Sequence, residues 1–256
     1  MLVALALKMA TTAGVVVLAC LVVERTGPVV GAMIATLPVS AGPAYAFLAM
    51  EHGPGFIADS ALASMAALAA TSVFVTVYAW LARDHGLAAS IGAAVLAWLA
   101  VAAGLRALAL GLPAAATLNL ALFLAGQFLV RDWRRAPLAP RRPPSRWDIP
   151  IRAAAAMALV ALVLVIGRLL GPRAAGLAAL APVVMTSLGI LLYPRLGGAG
   201  AAAVLANTLP GMLGNSVAVA VLHLTAVPLG STPALLLALA ICVACNGAIT
   251  AWQRWR

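Results

Sequence analysis

Apolar runs of about 20 residues, each closed by a short cluster of Gly, Pro, Arg or Asp, follow one another along almost the whole chain. That is the length a helix needs to cross the ~30 Å hydrocarbon layer of a bilayer. Runs and breaks together predict spans at 2–23, 28–50, 55–82, 87–105, 107–130, 151–170, 173–193, 197–226 and 230–252,. The expected fold is therefore an all-α integral membrane protein of about nine transmembrane helices. The one polar linker runs from Arg131 through Arg146 and is rich in Arg and Pro.

Rare residues recur inside this pattern. Lys8 stands nineteen residues before Gly27, and Pro38 stands ten beyond Pro28. Arg152, Gly171, Pro172 and Pro182 reproduce that spacing 144 residues later. Val39 with Val183, Gly53 with Gly197, and Ser72 with Ser216 match at the same offset. The spacing predicts an internal duplication, with a first membrane repeat at 1–105, a connecting span and linker at 106–150, and a second repeat at 151–256. Spans 1–4 then correspond to spans 6–9, and span 5 joins them. Because five spans separate the starts of the two copies, the copies insert in opposite orientations.

Composition supports the choice of solvent. Hydrophobic residues make up 65% of the chain and charged ones 9%, with only six carboxylates, too few to cover a water-facing surface. A formal charge of +10 invites a nucleic-acid reading, yet no basic domain with interleaved aromatics is present, so no nucleic-acid partner is expected. The arginines fall mainly between apolar runs, which positive-inside topology explains better. The 131–150 linker is placed in the cytoplasm, with Arg25, Arg83, Arg195, Arg254 and Arg256 on its side of an inner membrane. Arg106, Arg168, Arg173 and Lys8 fall on the other.

The module of a basic residue, an apolar span, Gly-Pro, then a Pro-interrupted span resembles the short GlpM-like bacterial inner-membrane proteins. Here it is carried by Lys8, Gly27, Pro28 and Pro38 and again by Arg152, Gly171, Pro172 and Pro182. The likeness covers spans 1–3 and 6–8, and such families lend no firm biochemical role. A 5+5 inverted transporter of the drug/metabolite type is a second likeness, from which this chain departs by lacking a fifth span in its second half.

Some motifs carry little. Val17–Cys20 looks like a lipoprotein cleavage box, but Lys8 interrupts its apolar region. Cys242 and Cys245 have redox-motif spacing, yet they lie inside an apolar run. With Cys20 as the only other cysteine, and with His52, His85 and His223 scattered, no metal site is implied. No cofactor is expected, and no paired nucleophile and base marks an enzyme.

The interrupted helices are the candidate solute site. Pro38 and Pro182 break their spans near the middle, releasing backbone groups that need a partner. Thr36 and Ser40 stand beside the first break and Thr186 beside the second, while Asn207, Asn215 and Ser216 make span 8 the most polar stretch within any span. These residues either line a solute path or glue helices together. Asp59 is the carboxylate most clearly within a span, and the topology brings it to a depth similar to that of His223, with Lys8 on the same side. The three are candidates for ion or proton coupling; the bland alternative is that they reach to lipid headgroups. The resulting expectation is a secondary transporter of a small solute or ion, working by alternating access and coupled to a proton or cation gradient. Its surroundings are the lipid bilayer, and a homo-oligomer is compatible with the sequence. A non-transporting membrane scaffold or envelope-assembly partner is the contrasting expectation, and a passive channel the third.

Overall fold

A computed structural model describes residues 7–15, 17–18, 41–135 and 147–254. Every regular element among them is helical. Residues 7–15 and 17–18 are helical, and the elements that follow are α1 (Ala41–Glu51), α2 (Pro54–Leu81), α3 (Leu87–Leu108) and α4 (Leu112–Val130). A single 3-10 turn, Trp133–Arg135, leads into the linker. Beyond it come α5 (Asp148–Leu170), α6 (Pro172–Ala179), α7 (Val183–Ala206), α8 (Leu209–Leu229) and α9 (Ser231–Arg254).

Six stretches among the described residues are long and apolar enough to cross a membrane: Pro54–Leu81, Leu87–Leu108, Leu112–Val130, Ile149–Leu170, Pro172–Leu229 and Ser231–Ile249. At 1.5 Å per residue the 58 residues of Pro172–Leu229 exceed any bilayer thickness as one rod, and the chain does interrupt them. Leu180 and Pro182 leave the helical region (φ −112°, ψ 21° and φ −76°, ψ 40°). Gly197 adopts φ 70°, ψ 173°, a left-handed value that a side chain resists. Asn207 and Thr208 form a third break.

Contacts with α2 show the path this segment takes. Gly176 lies against the Ser60 backbone and Gly198 against the Ala82 carbonyl, so close that a methyl at either glycine would overlap. Tyr193 donates to the His85 carbonyl at 2.8 Å. His223 Nδ1 lies 2.8 Å from the Ala58 carbonyl. The chain therefore descends along α2 from the Asp59 end to the linker end, turns at Gly197, and climbs back through α8. Pro182 interrupts the descent, as the sequence predicts. The expected continuous span 197–226 is instead broken at Asn207 and Thr208, where both polar side chains bond the preceding carbonyls of their own turn and Pro210 follows. The expected span 107–130 starts later, at Leu112, because Ala109 takes a left-handed φ of 45° and Gly111 and Pro113 open the next helix.

Helix α2 is the hub, packed against α3, α4, α6, α7 and α8. In its most apolar 18-residue window 67% of residues are buried, against 17% in α3, so α3 presents most of its surface outward, and in an apolar helix that surface suits lipid. Phe74, Tyr78 and Phe123 fill the core toward the linker end. Leu48, Ile57 and Leu159 fill a second core toward the Asp59 end.

Candidate functional site

Two polar regions emerge, one neutral and buried in the bundle, the other charged and open at the Asp59 end.

The neutral region begins at the Pro182 break. A helix that stops inside a bundle leaves its last carbonyls without intrahelical donors, and in hydrocarbon these must be satisfied by the protein. One face of α2 supplies the donors. Ser64 donates to the Gly176 carbonyl at 2.8 Å, and Ser60 reaches the other end of α6, donating to the Pro172 carbonyl of its first turn at 3.0 Å. The Thr71 hydroxyl shares its proton between the Ala67 carbonyl at 2.8 Å and the Leu180 carbonyl at 3.4 Å. Positions 60, 64 and 71 fall on one helical face, which is why one helix meets its neighbour at three points. Ser64 is engaged as a donor, so the Tyr45 hydroxyl, 2.6 Å away, donates to it. Trp98 Nε1 donates to Thr71 Oγ1 at 3.1 Å.

Near mid-span a second set joins three helices. Asn119 of α4 donates from Nδ2 to the Met65 carbonyl of α2 at 2.9 Å. Its Oδ1 accepts from Ser216 of α8 at 2.9 Å. Tyr78 closes the set toward the linker end by donating to the Gly189 carbonyl at 3.2 Å, with its ring against that glycine.

The expected solute-site residues do not gather in one place. Pro182 and Thr186 stay together, with the Thr186 hydroxyl donating back to the Pro182 carbonyl at 2.7 Å. Asn207 sits at the linker end, bonding the Arg134 carbonyl at 3.2 Å. Asn215 faces α9, where its Oδ1 accepts from Cys242 Sγ at 3.0 Å, while Ser216 faces α4. Thr36, Pro38 and Ser40 lie outside the described residues.

The charged region holds two constellations. In the first, Glu51 at the end of α1 receives Arg168 of α5 through two hydrogen bonds, Nε to Oε2 at 2.9 Å and Nη2 to Oε1 at 2.8 Å, and also pairs with Lys8. Lys8 lies over the Phe47 ring, 5.5 Å from its centroid. Partial burial pushes the Glu51 carboxyl up, but the hydrogen bonds and charges of Arg168 and Lys8 outweigh it and hold the group below the ordinary carboxylate value,. Lys8, expected to act with Asp59 and His223, is thus given Glu51 as its partner. The expected topology already placed Lys8, Glu51 and Arg168 on one side; what it lacked was the azimuth of each helix.

The second constellation surrounds a cavity of about 270 Å³ between α2, α3, α4 and α6, with Asp59, Arg106 and Arg173 at its mouth. All three are exposed, and among the described residues none forms an ion pair within 4.0 Å. His223 reaches the depth expected of it, one residue from Asp59 along α2, but it meets the Ala58 backbone carbonyl. Sequence reasoning had treated Arg106 and Arg173 as topology markers only.

No cluster of three or more His, Cys, Asp or Glu side chains arranged to hold a metal ion occurs among the described residues. No protein-family model, curated protein or solved structure matches the chain.

Proposed function

We propose that this chain is a secondary transporter of the inner membrane that moves a small solute by alternating access between two inverted halves. The observation that carries the reading is that helix ends and helix partners recur with the repeat of the sequence. Helices restart at Pro54 and at Gly198, and again at Leu87 and Ser231, each pair 144 residues apart. Partners exchange accordingly: α2 packs on α3 as α8 packs on α9, and α1 meets α9 as α7 meets α3. The contact between α2 and α8 then lies on the pseudo-two-fold axis. Two such halves, the second with its span interrupted at Pro182, are the arrangement in which one half can rock against the other.

In this reading nine spans cross the membrane. The described helices account for the later ones, and residues 7–18 and α1 belong to the first two. The 131–150 linker is cytoplasmic, which makes the Asp59 end outward-facing, with its cavity as the entry and the satisfied mid-bundle as the closed gate beneath it. Opening requires the Gly176 and Leu180 carbonyls to exchange Ser64 and Thr71 for water or solute. No nucleotide-binding motif is present in the sequence; in this reading the energy comes from an ion gradient or a separate subunit, with Asp59 as the candidate coupling group and His223, held on the Ala58 carbonyl next to it in sequence, as the candidate relay.

The same internal satisfaction of polar groups suits a membrane scaffold, and this is the competing reading. A solute uptake and efflux screen in proteoliposomes, with and without an imposed proton gradient, separates the two. The transporter reading expects gradient-driven accumulation that Asp59→Asn abolishes. Reconstituted, folded protein that moves no solute in either direction refutes it in favour of the scaffold. A single cysteine at Glu51 of a cysteine-free chain is expected to react with an impermeant thiol reagent in intact cells and one in the linker to be shielded; equal labelling removes the inverted topology.

A further inference from the structure

The cavity at the Asp59 end has a polarity gradient that specifies a kind of ligand. Its mouth carries the guanidinium of Arg106 in the last turn of α3, that of Arg173 at the start of α6, and the carboxylate of Asp59. These sum to one excess positive charge. Gly111, the residue before α4, also lines the cavity. The first turn of α4 leaves amides without acceptors inside the helix, and its dipole adds positive potential. Deeper, the lining turns to alanine and leucine, through Ala66 to Leu118. Asp59 and Ala69 both border the cavity, and ten residues of helix at 1.5 Å each make it roughly 15 Å deep. A volume near 270 Å³ has room for an organic molecule of modest size.

Structural uses do not absorb these charges. An arginine near a helix carboxyl end complements the dipole, which accounts for Arg106 alone. Arg173 stands at a helix amino end, where a cation is disfavoured, and among the described residues no carboxylate lies within 4.0 Å of it. Three charges converge on a space that none of them fills.

We infer that this cavity binds an amphiphile with one anionic head and a short apolar tail, the head between Arg106 and Arg173 and the tail in the alanine-lined slot. As the entry site of the transporter proposed above, this names its substrate class and rests on that reading. A soluble short-chain carboxylate fits this description whole, and an anionic phospholipid of the surrounding leaflet offers the same anionic head, with only the proximal part of one acyl chain able to enter the slot. Asp59 borders the head and repels it, so removing that carboxylate tightens binding of the anion.

The test is direct binding to the full chain in a neutral detergent, titrating hexanoate by calorimetry with hexylammonium as the control of opposite charge. In parallel, retention of phosphatidylglycerol is measured by native mass spectrometry. Hexanoate or phosphatidylglycerol is expected to bind, at least tenfold more weakly in the double variant Arg106→Gln/Arg173→Gln and severalfold more tightly in Asp59→Asn. Ala66→Leu, which fills the slot and leaves every charge in place, is expected to abolish binding of the tail-bearing probe while acetate binding persists. Hexanoate binding that phosphatidylglycerol does not displace assigns the site to a soluble solute; phosphatidylglycerol retention without hexanoate binding assigns it to a lipid. Failure of both probes to bind, equal binding of hexylammonium, or wild-type affinity in a folded double arginine variant overturns the inference. A chain that binds hexanoate yet moves no solute in proteoliposomes keeps the site and loses the transporter, whereas gradient-driven uptake unaffected by the arginine and Ala66 variants does the reverse.

Discussion

The middle of the bundle and its Asp59 end treat polar groups in opposite ways. In the middle, Ser64 and Thr71 find carbonyls of the interrupted helix, and Asn119 joins Met65 to Ser216. These groups are neutral, so one donor matched to one acceptor offsets their desolvation. At the Asp59 end the groups are ionised. Glu51 gathers two cations around itself, while Asp59, Arg106 and Arg173 stay apart around a cavity. Full charges are expensive in hydrocarbon and are kept where water or headgroups reach them. Chemistry that selects a ligand therefore sits at the mouth, and chemistry that holds the helices together sits inside.

The largest effect expected from breaking this contrast is steric. Gly176 lets α6 lie so close to Ser60 that any side chain would overlap the Ser60 carbonyl, and the neutral ladder depends on that approach. Gly176→Val is expected to cost about 3 kcal/mol, at the upper end of ordinary overpacking, and to separate Ser64 from the Gly176 carbonyl. Gly92 on exposed α3 has nothing within 4 Å, so Gly92→Ala is expected to gain up to about 1 kcal/mol from helix propensity. Unfolding in mixed micelles measures both. Two glycines with the same response would show that close approach of α6 to α2 contributes nothing.

Next in size is the mid-span network. Asn119→Leu leaves Ser216 without its Asn119 acceptor, although the Met212 carbonyl at 3.1 Å remains, so the loss is expected near 1 kcal/mol. Such bonds average roughly 0.6 kcal/mol in membrane proteins, because the reference state also finds partners. A double-mutant cycle with Ser216→Ala isolates the pair, and a coupling of zero would make the contact incidental. Should Asn119→Leu leave stability intact and lower transport, the network would belong to the solute path instead.

The sequence spoke clearly where a single residue type forces a backbone outcome. Pro182 breaks its helix, Gly197 sits at the turn between two runs, and the apolar run after Gly86 begins a helix at Leu87. It was silent where the outcome depends on which way a helix face points. His223 lies at the level of Asp59 along α2, yet it bonds the Ala58 carbonyl, and Lys8 turns to Glu51. Hydropathy sets depth along the membrane normal, whereas partner choice depends on rotation about each helix axis. The scattered fates of Asn207, Asn215 and Ser216 have the same cause: 215 and 216 are adjacent in sequence but about 100° apart around α8, so one meets α9 and the other α4.

The smallest expected effect concerns Glu51, and its sign follows from linkage. Arg168 and Lys8 hold its folded-state carboxyl below the ordinary value of 4.5. A group depressed in this way contributes stability that is fully present above the unfolded value and is lost as pH falls through the folded one. Glu51→Gln keeps the shape and removes the charge, leaving Lys8 and Arg168 without their counterion. Its melting temperature is expected to fall a few degrees short of the wild type at pH 7, by an amount that stays level down to about pH 5 and shrinks below 4.5. Half of the Arg168 side chain is exposed, so 1 M salt is expected to narrow the gap at pH 7 as well. A gap that is absent at neutral pH, or that widens on acidification, would mean that the charged end contributes nothing to stability through Glu51, and the difference between the two regions would then lie in ligand binding alone.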